Sequence, residues 1–282
     1  MDGTSIVSPG FESMSFRMNT DSLWEIKALA LDRFRWALLR ERHGMLGSAL
    51  RFIRDTIAEG WFGLRAKFCL AASIDAEPCD FLLLQSAPKV IGLRRKRLFM
   101  DALRQRGCRL AETALPEKRD ICANRWLVSP RQFVPLRYFG YAAHAAWIVK
   151  RYQPDILLND RNGSLYSPFL RLSLNDEQRL LVHLAHATTV ESSQRLSMND
   201  YDYYLLFGPS SLEALRKRKL RFGASIAVLT GSHMIDQSFN LSPANPAART
   251  LLILGVGPDK EKESGYRRTY ELLREWAREH PR

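Results

Sequence analysis

His186 closes the apolar run Leu180-Leu181-Val182-His183-Leu184-Ala185 and is followed by Thr188 and Thr189. A histidine at the end of a buried strand can take a proton from an acceptor hydroxyl or donate to a phosphate. It can also simply bond a neighbouring carbonyl. His183, three residues earlier, lies inside the run and reads as structural. Asp160 heads Asp160-Arg161-Asn162-Gly163-Ser164, directly after the run Ile156-Leu157-Leu158-Asn159. Asn-Gly allows a tight turn, which leaves Asp160 facing the end of the strand. There it could orient His186 or accept from a ligand hydroxyl, or it could cap the turn. A third candidate is the loop from Ser86 to Gly92. Its backbone N–H groups, with Arg94 and Arg95, could hold an anion, although the loop is neither glycine-rich nor spaced as a P-loop. Glu191 and Ser192 are lesser neighbours of His186. Neither histidine has a cysteine or carboxylate near it in sequence to suggest a metal site.

The elements that position these residues are short apolar runs ending in polar or glycine-containing turns. They are Asp80–Gln85, Cys108–Ala111, Asp155–Asn159, Leu180–Ala185, Tyr203–Phe207, Ala227–Leu229 and Leu251–Val256, with a further short run at Trp126–Pro130. Such runs read as strands covered on both faces, as in a parallel sheet. Helical stretches separate them: a basic one from about Leu93 to Arg106, one over Leu136–Tyr152, and one from about Tyr266 to Arg278 with Tyr266, Tyr270, Leu273 and Trp276 inward. The alternation predicts an α/β, doubly wound, mainly parallel Rossmann-like sheet. In such sheets ligands bind outside the carboxyl ends of the strands. The polar residues closing the runs are therefore the first place to look for function.

Before the sheet, residues 1–20 read as a loose tail and 21–75 as a helical segment. On the first helix Leu23, Ile26, Ala30, Phe34, Ala37 and Leu38 share one stripe; on the second, Leu46, Leu50, Ile53 and Ile57 share another. Trp24, Trp36, Trp61 and Phe62 accompany Arg33, Arg35, Arg40 and Arg42. Tryptophan with arginine suits a membrane interface; a helical hairpin packed on the rest of the protein accounts for them equally. Residues 76–245 form the sheet domain, and 246–282 begin a further βα unit.

The hydrophobic share of 46% is enough for a core and argues against wholesale disorder. The formal charge of +12 is concentrated. Lys89–Arg109 holds eight basic residues and one acid, and Arg216–Arg221 five basic residues and none. Phosphorylated metabolites or an anionic membrane surface suit such stretches. Nucleic acid is the weaker partner, because no helix-turn-helix, RRM or KH signature is present. Cys69, Cys79, Cys108 and Cys122 contain no C-x-x-C pair, which disfavours structural zinc. With no signal peptide at the amino terminus, a cytoplasmic setting is expected.

The order of segments resembles the N-terminal half of GT-B glycosyltransferases and glycerophosphotransferase-like enzymes of bacterial surface polysaccharide biosynthesis (capsule, lipopolysaccharide, teichoic acid). Gln153-Pro154-Asp155-Ile156-Leu157-Leu158 resembles the family's strand opening, and Leu181–Ala187 its strand ending in histidine. Asp202–Gly208 with Ser211–Leu215, and Thr230-Gly231-Ser232 with Asp236, resemble two later elements. Ala187 and His233 stand where the family has Gly and Pro. The resemblance implies a metal-independent transferase with no cofactor, moving a sugar or polyol phosphate from a nucleotide-activated donor to a glycan acceptor. His186 would be the base with Asp160 in support. Ser86, Arg94, Arg95, Arg161, Asn162, Thr188, Thr189, Ser232 and Asp236 would contact substrate. It also implies a setting peripheral to the inner face of the plasma membrane, and a second domain of which only the first βα unit is present. The alternative is a non-catalytic α/β binding or scaffold protein that meets an anionic membrane or partner through its basic helices.

Overall fold

The computed structural model describes the backbone of residues 4–6 and residues 23–94, 96–161, 163–185, 197–235 and 263–280. The chain divides into two units, Met1–Asp236 and Gln237–Arg282. The first is built on a seven-stranded sheet. Its strands are β1 (Thr4–Ile6), β2 (Phe81–Gln85), β3 (Leu110–Ala114), β4 (Ile156–Asn159), β5 (Leu180–Leu184), β6 (Tyr203–Leu206) and β7 (Ser225–Leu229), in the order β1-β7-β6-β5-β4-β2-β3. From β2 to β7 every pairing is parallel. The α/β, doubly wound parallel sheet expected from the buried apolar runs is therefore present. Thr4–Ile6, within the expected tail, adds an antiparallel edge strand on β7.

Helices cover both faces. They are α1 (Leu23–Arg40), α2 (Met45–Phe68), α3 (Pro88–Gly92), α4 (Arg97–Gln105), α5 (Lys118–Ala123), α6 (Leu136–Tyr152), α7 (Ser167–Asn175) and α8 (Pro209–Lys217). Alternate residues along a strand point to opposite faces. Leu82, Leu84, Leu157 and Leu181 enter the larger core with Trp24, Leu31, Phe62, Tyr138 and Phe169 from α1, α2, α6 and α7. Leu83, Leu158, Val182 and Leu184 face the other way and pack with Met100 and Phe99 of α4.

Several elements differ from the sequence reading. Trp126–Pro130 is not a strand: Leu127 is buried, and the Val128 N–H donates to the Ala143 carbonyl of α6. The basic helix over 93–106 is broken. Helix α3 ends at Gly92, Arg94 adopts a left-handed backbone (φ 48°), and α4 begins only at Arg97. On α1 the buried residues are Trp24, Ala28, Leu31 and Phe34, which leaves Leu23 and Ile26 exposed. On α2 the stripe Leu46, Leu50, Ile53 and Ile57 does share one face, but that face is exposed.

What α2 buries instead is Ser48, Glu59, Phe62, Gly63 and Ala66. Small residues let it cross α6 closely: a Cβ on Gly63 would lie 1.8 Å from the Leu136 carbonyl oxygen, and one on Gly140 would lie 2.5 Å from the Phe62 ring. Charged groups lock the crossing. Glu59 accepts from Arg35 at 2.6 Å and Arg137 at 2.8 Å, while Asp32 accepts from Arg137 and the Tyr138 hydroxyl, both at 2.6 Å. Burial pushes the Tyr138 phenol up, so it stays a donor.

In the second unit the expected helix is α9 (Ser264–Glu279). None of its residues is buried, so Tyr266 and Trp276 do not face a core as expected. The expected strand 251–256 lies outside the described residues.

Candidate functional site

The chain leaves β2 to form β3 on one side, then returns to lay β4 on the other side of β2, and β5 to β7 extend onward from there. Connections leave the carboxyl ends of β2 and β4 in opposite directions, the position at which ligands of open α/β sheets bind. The two strands end there in Gln85 and Asn159.

A buried polar chain runs across this point. Lys96, the residue before α4, donates from Nζ to Gln85 Oε1 at 3.0 Å and pairs with Asp160 Oδ2. Gln85 Nε2 donates to Glu112 Oε1 of β3 at 2.7 Å. The Lys96 and Asp160 side chains are only 4% and 7% exposed. Removing two charges from water this far is costly, and mutual attraction offsets it only when the remaining polar atoms are also satisfied. Here they are not. Among the described residues Asp160 Oδ1 and Asn159 Nδ2 are buried without a hydrogen-bond partner. Each such atom costs about 1–3 kcal/mol. The turn itself is held: Asn159 Oδ1 accepts from the Arg161 N–H at 3.1 Å, and the Tyr201 hydroxyl donates to the Arg161 carbonyl at 3.3 Å. The turn therefore holds a carboxylate oxygen and an amide donor, both buried and both unpaired among the described residues, the polar pair that a hydroxyl group would satisfy.

Of the residues expected from sequence, Asp160 is at the centre. Ser86 follows Gln85 directly. The helix after it, α3, has only five residues, and the Val90 N–H is already bonded to the Ala87 carbonyl. Arg94 and the Arg161 side chain are exposed and outside the polar chain. Ser232 Oγ accepts from the Met234 N–H at 3.2 Å in the segment after β7. That segment reaches α4, where His233 meets Phe99 edge-on with ring centroids 6.0 Å apart. His183 is fully buried in β5 and stacks on Tyr201 at 4.6 Å. Arg95, Asn162, His186, Thr188, Thr189, Glu191, Ser192 and Asp236 lie outside the described residues.

Sequence reasoning passed over Gln85, Asn159, Glu112 and Lys96. Gln85 and Asn159 carried a usable signal, because each is the polar residue closing an apolar run. Lys96 carried none: in the run Arg94-Arg95-Lys96-Arg97 nothing separates the inward residue from its neighbours. The second basic stretch is also partly used inside. Arg218 pairs with Glu41, the residue after α1, and donates to Ser197 Oγ at 2.6 Å.

No family model, curated protein or solved structure matches this chain. Among the described residues no group of three or more His, Cys, Asp or Glu side chains could hold a metal ion.

The amino edge of the sheet has its own ionic cluster. Asp200 accepts from Lys27 Nζ at 2.8 and 3.0 Å and from Arg171 at 2.9 Å. Asp202 accepts from Arg171 Nε at 2.9 Å and from the Leu181 N–H at 2.8 Å. These bonds fasten α1 and α7 to the starts of β5 and β6.

Proposed function

We propose that the carboxyl edge around Asp160 recognises the hydroxyl groups of a glycan acceptor in a transfer of sugar or polyol phosphate from a nucleotide-activated donor. The observation that carries this reading is the buried Lys96–Asp160 pair at the point where strand order reverses, with one carboxylate oxygen left open. Lys96 holds the carboxylate in place, and the unpaired second oxygen accepts from a glycan hydroxyl. In this reading His186 takes the hydroxyl proton. The freed oxygen attacks the anomeric carbon of a sugar donor, or the phosphorus of a polyol phosphate donor. The bond to the nucleotide phosphate breaks, and its electron pair leaves with the nucleotide. Positive potential from exposed residues such as Arg94 and Arg161 favours the phosphorylated donor.

Saturation-transfer NMR against nucleotide sugars, nucleotide-activated polyols and oligosaccharide acceptors tests the reading. An acceptor class should bind the wild type, and Asp160→Asn should weaken it by about tenfold or more, the order of a lost charged hydrogen bond. Binding that survives Asp160→Asn unchanged would place the ligand elsewhere.

A further inference from the structure

The outward face of α2 is a continuous apolar stripe. Leu46, Leu50, Ile53, Ile57, Trp61, Leu64 and Phe68 follow one another at helical spacing, and each is between 38% and 80% exposed. Single exposed leucines are ordinary; seven large apolar residues in line between positions 46 and 68 of one helix are not. The stripe is about 33 Å long. It cannot turn inward, because the opposite face is held to α6 by the Gly63–Leu136 and Gly140–Phe62 approaches and by Glu59 between Arg35 and Arg137.

The charges of α2 are sorted in the same way. Its two acids are drawn off the stripe: Glu59 points inward, and Asp55 is shared between Arg54 and Arg35. The exposed charges are all cationic. On a turn of 3.6 residues, Arg54 and Arg65 flank the stripe on one side with Arg51 behind them, and Lys67 flanks it on the other. Trp61 sits within the stripe.

We propose that α2 is a membrane-docking helix that lies in the headgroup region of an anionic lipid bilayer. Leucine, isoleucine, phenylalanine and tryptophan on one face with basic flanks are what such a surface takes up. The period also favours a flat partner. Six steps over 22 residues average about 3.7 residues, close to a straight helix, whereas a left-handed coiled coil needs 3.5. A second copy is disfavoured by charge, since facing stripes would bring the cationic flanks together. Among the described residues no helix is long and apolar enough to cross a membrane, so α2 would lie on the bilayer. The docking is independent of any chemistry at the carboxyl edge.

The test is co-sedimentation of the 282-residue chain with vesicles of equal parts phosphatidylglycerol and phosphatidylcholine, and with phosphatidylcholine alone, across a salt series. The chain should bind the anionic vesicles, and the binding should weaken as salt rises. Leu50→Gln with Ile57→Gln should lower the partition coefficient by at least about tenfold. Arg51→Glu with Arg65→Glu should lower it at low salt. Both variants should keep the wild-type melting temperature, because the altered side chains are exposed. Absence of vesicle binding, or binding that the Leu50 and Ile57 changes leave intact, would overturn the proposal. So would a concentration-dependent dimer, seen by light scattering, that those changes abolish.

Discussion

Each edge of the sheet carries buried carboxylates, and the two edges use them differently. At the amino edge all four oxygens of Asp200 and Asp202 accept a hydrogen bond from α1, α7 or a strand. At the carboxyl edge Asp160 has one oxygen on Lys96 and one without a partner among the described residues. The closed cluster fastens α1 and α7 to the sheet, and each of its carboxylate oxygens is already engaged. A buried carboxylate oxygen without a partner sits at a cost, and a hydroxyl bonded to it would remove that cost. Position agrees with this contrast, since ligands of open α/β sheets bind at the carboxyl edge.

The largest effect should come from opening the closed cluster. Asp200→Ala leaves Lys27 and Arg171 without their shared partner in a poorly hydrated site, which should cost about 3–5 kcal/mol in urea unfolding. Gly223 makes that edge still less tolerant. It has φ 80°, and a Cβ there would lie 2.5 Å from Asp200 Cβ, so Gly223→Ala should destabilise by about 2 kcal/mol or more. Full stability of Asp200→Ala would remove the structural half of the contrast.

Acid unfolding would blur the comparison unless His144 is accounted for. Burial drives this histidine down to about 4, against the hydrogen bond from Nδ1 to the Trp126 carbonyl at 2.7 Å. Its unfolded value is near 6.5. Between those values the unfolded chain holds the proton and the folded chain does not. Stability is therefore lost as pH falls from about 6.5 to about 4, by roughly 3 kcal/mol in total. His144→Gln should flatten that part of the stability–pH curve. An unchanged slope would assign the acid sensitivity to other groups.

The sheet was largely legible because a strand buried on both faces is a short apolar run between turns. Ile156–Asn159, Leu180–Leu184 and Tyr203–Leu206 all lie within runs expected as strands. Helix α6 matches its expected span, Leu136–Tyr152. Faces were harder. On α2 the buried face is the one that fits the neighbour: Gly63 and Ala66 are inside with Phe62 because α6 approaches closely, while Leu46, Leu50, Ile53 and Ile57 stay outside. Periodicity finds a stripe but not what covers it. At the site, Asp160 was legible from its place after a strand and before Asn-Gly. Lys96 was not, because its inward turn depends on a partner 64 residues away and on the break at Arg94.

The most direct measurement replaces the open pair without leaving a lone charge. Lys96→Met with Asp160→Leu swaps a buried ion pair for apolar groups, an exchange that is often neutral or stabilising. Urea unfolding of this double variant should give a stability within about 1 kcal/mol of the wild type, while saturation-transfer NMR shows the acceptor glycan signal lost. A folded double variant that binds as the wild type does would show that Lys96 and Asp160 serve only the fold.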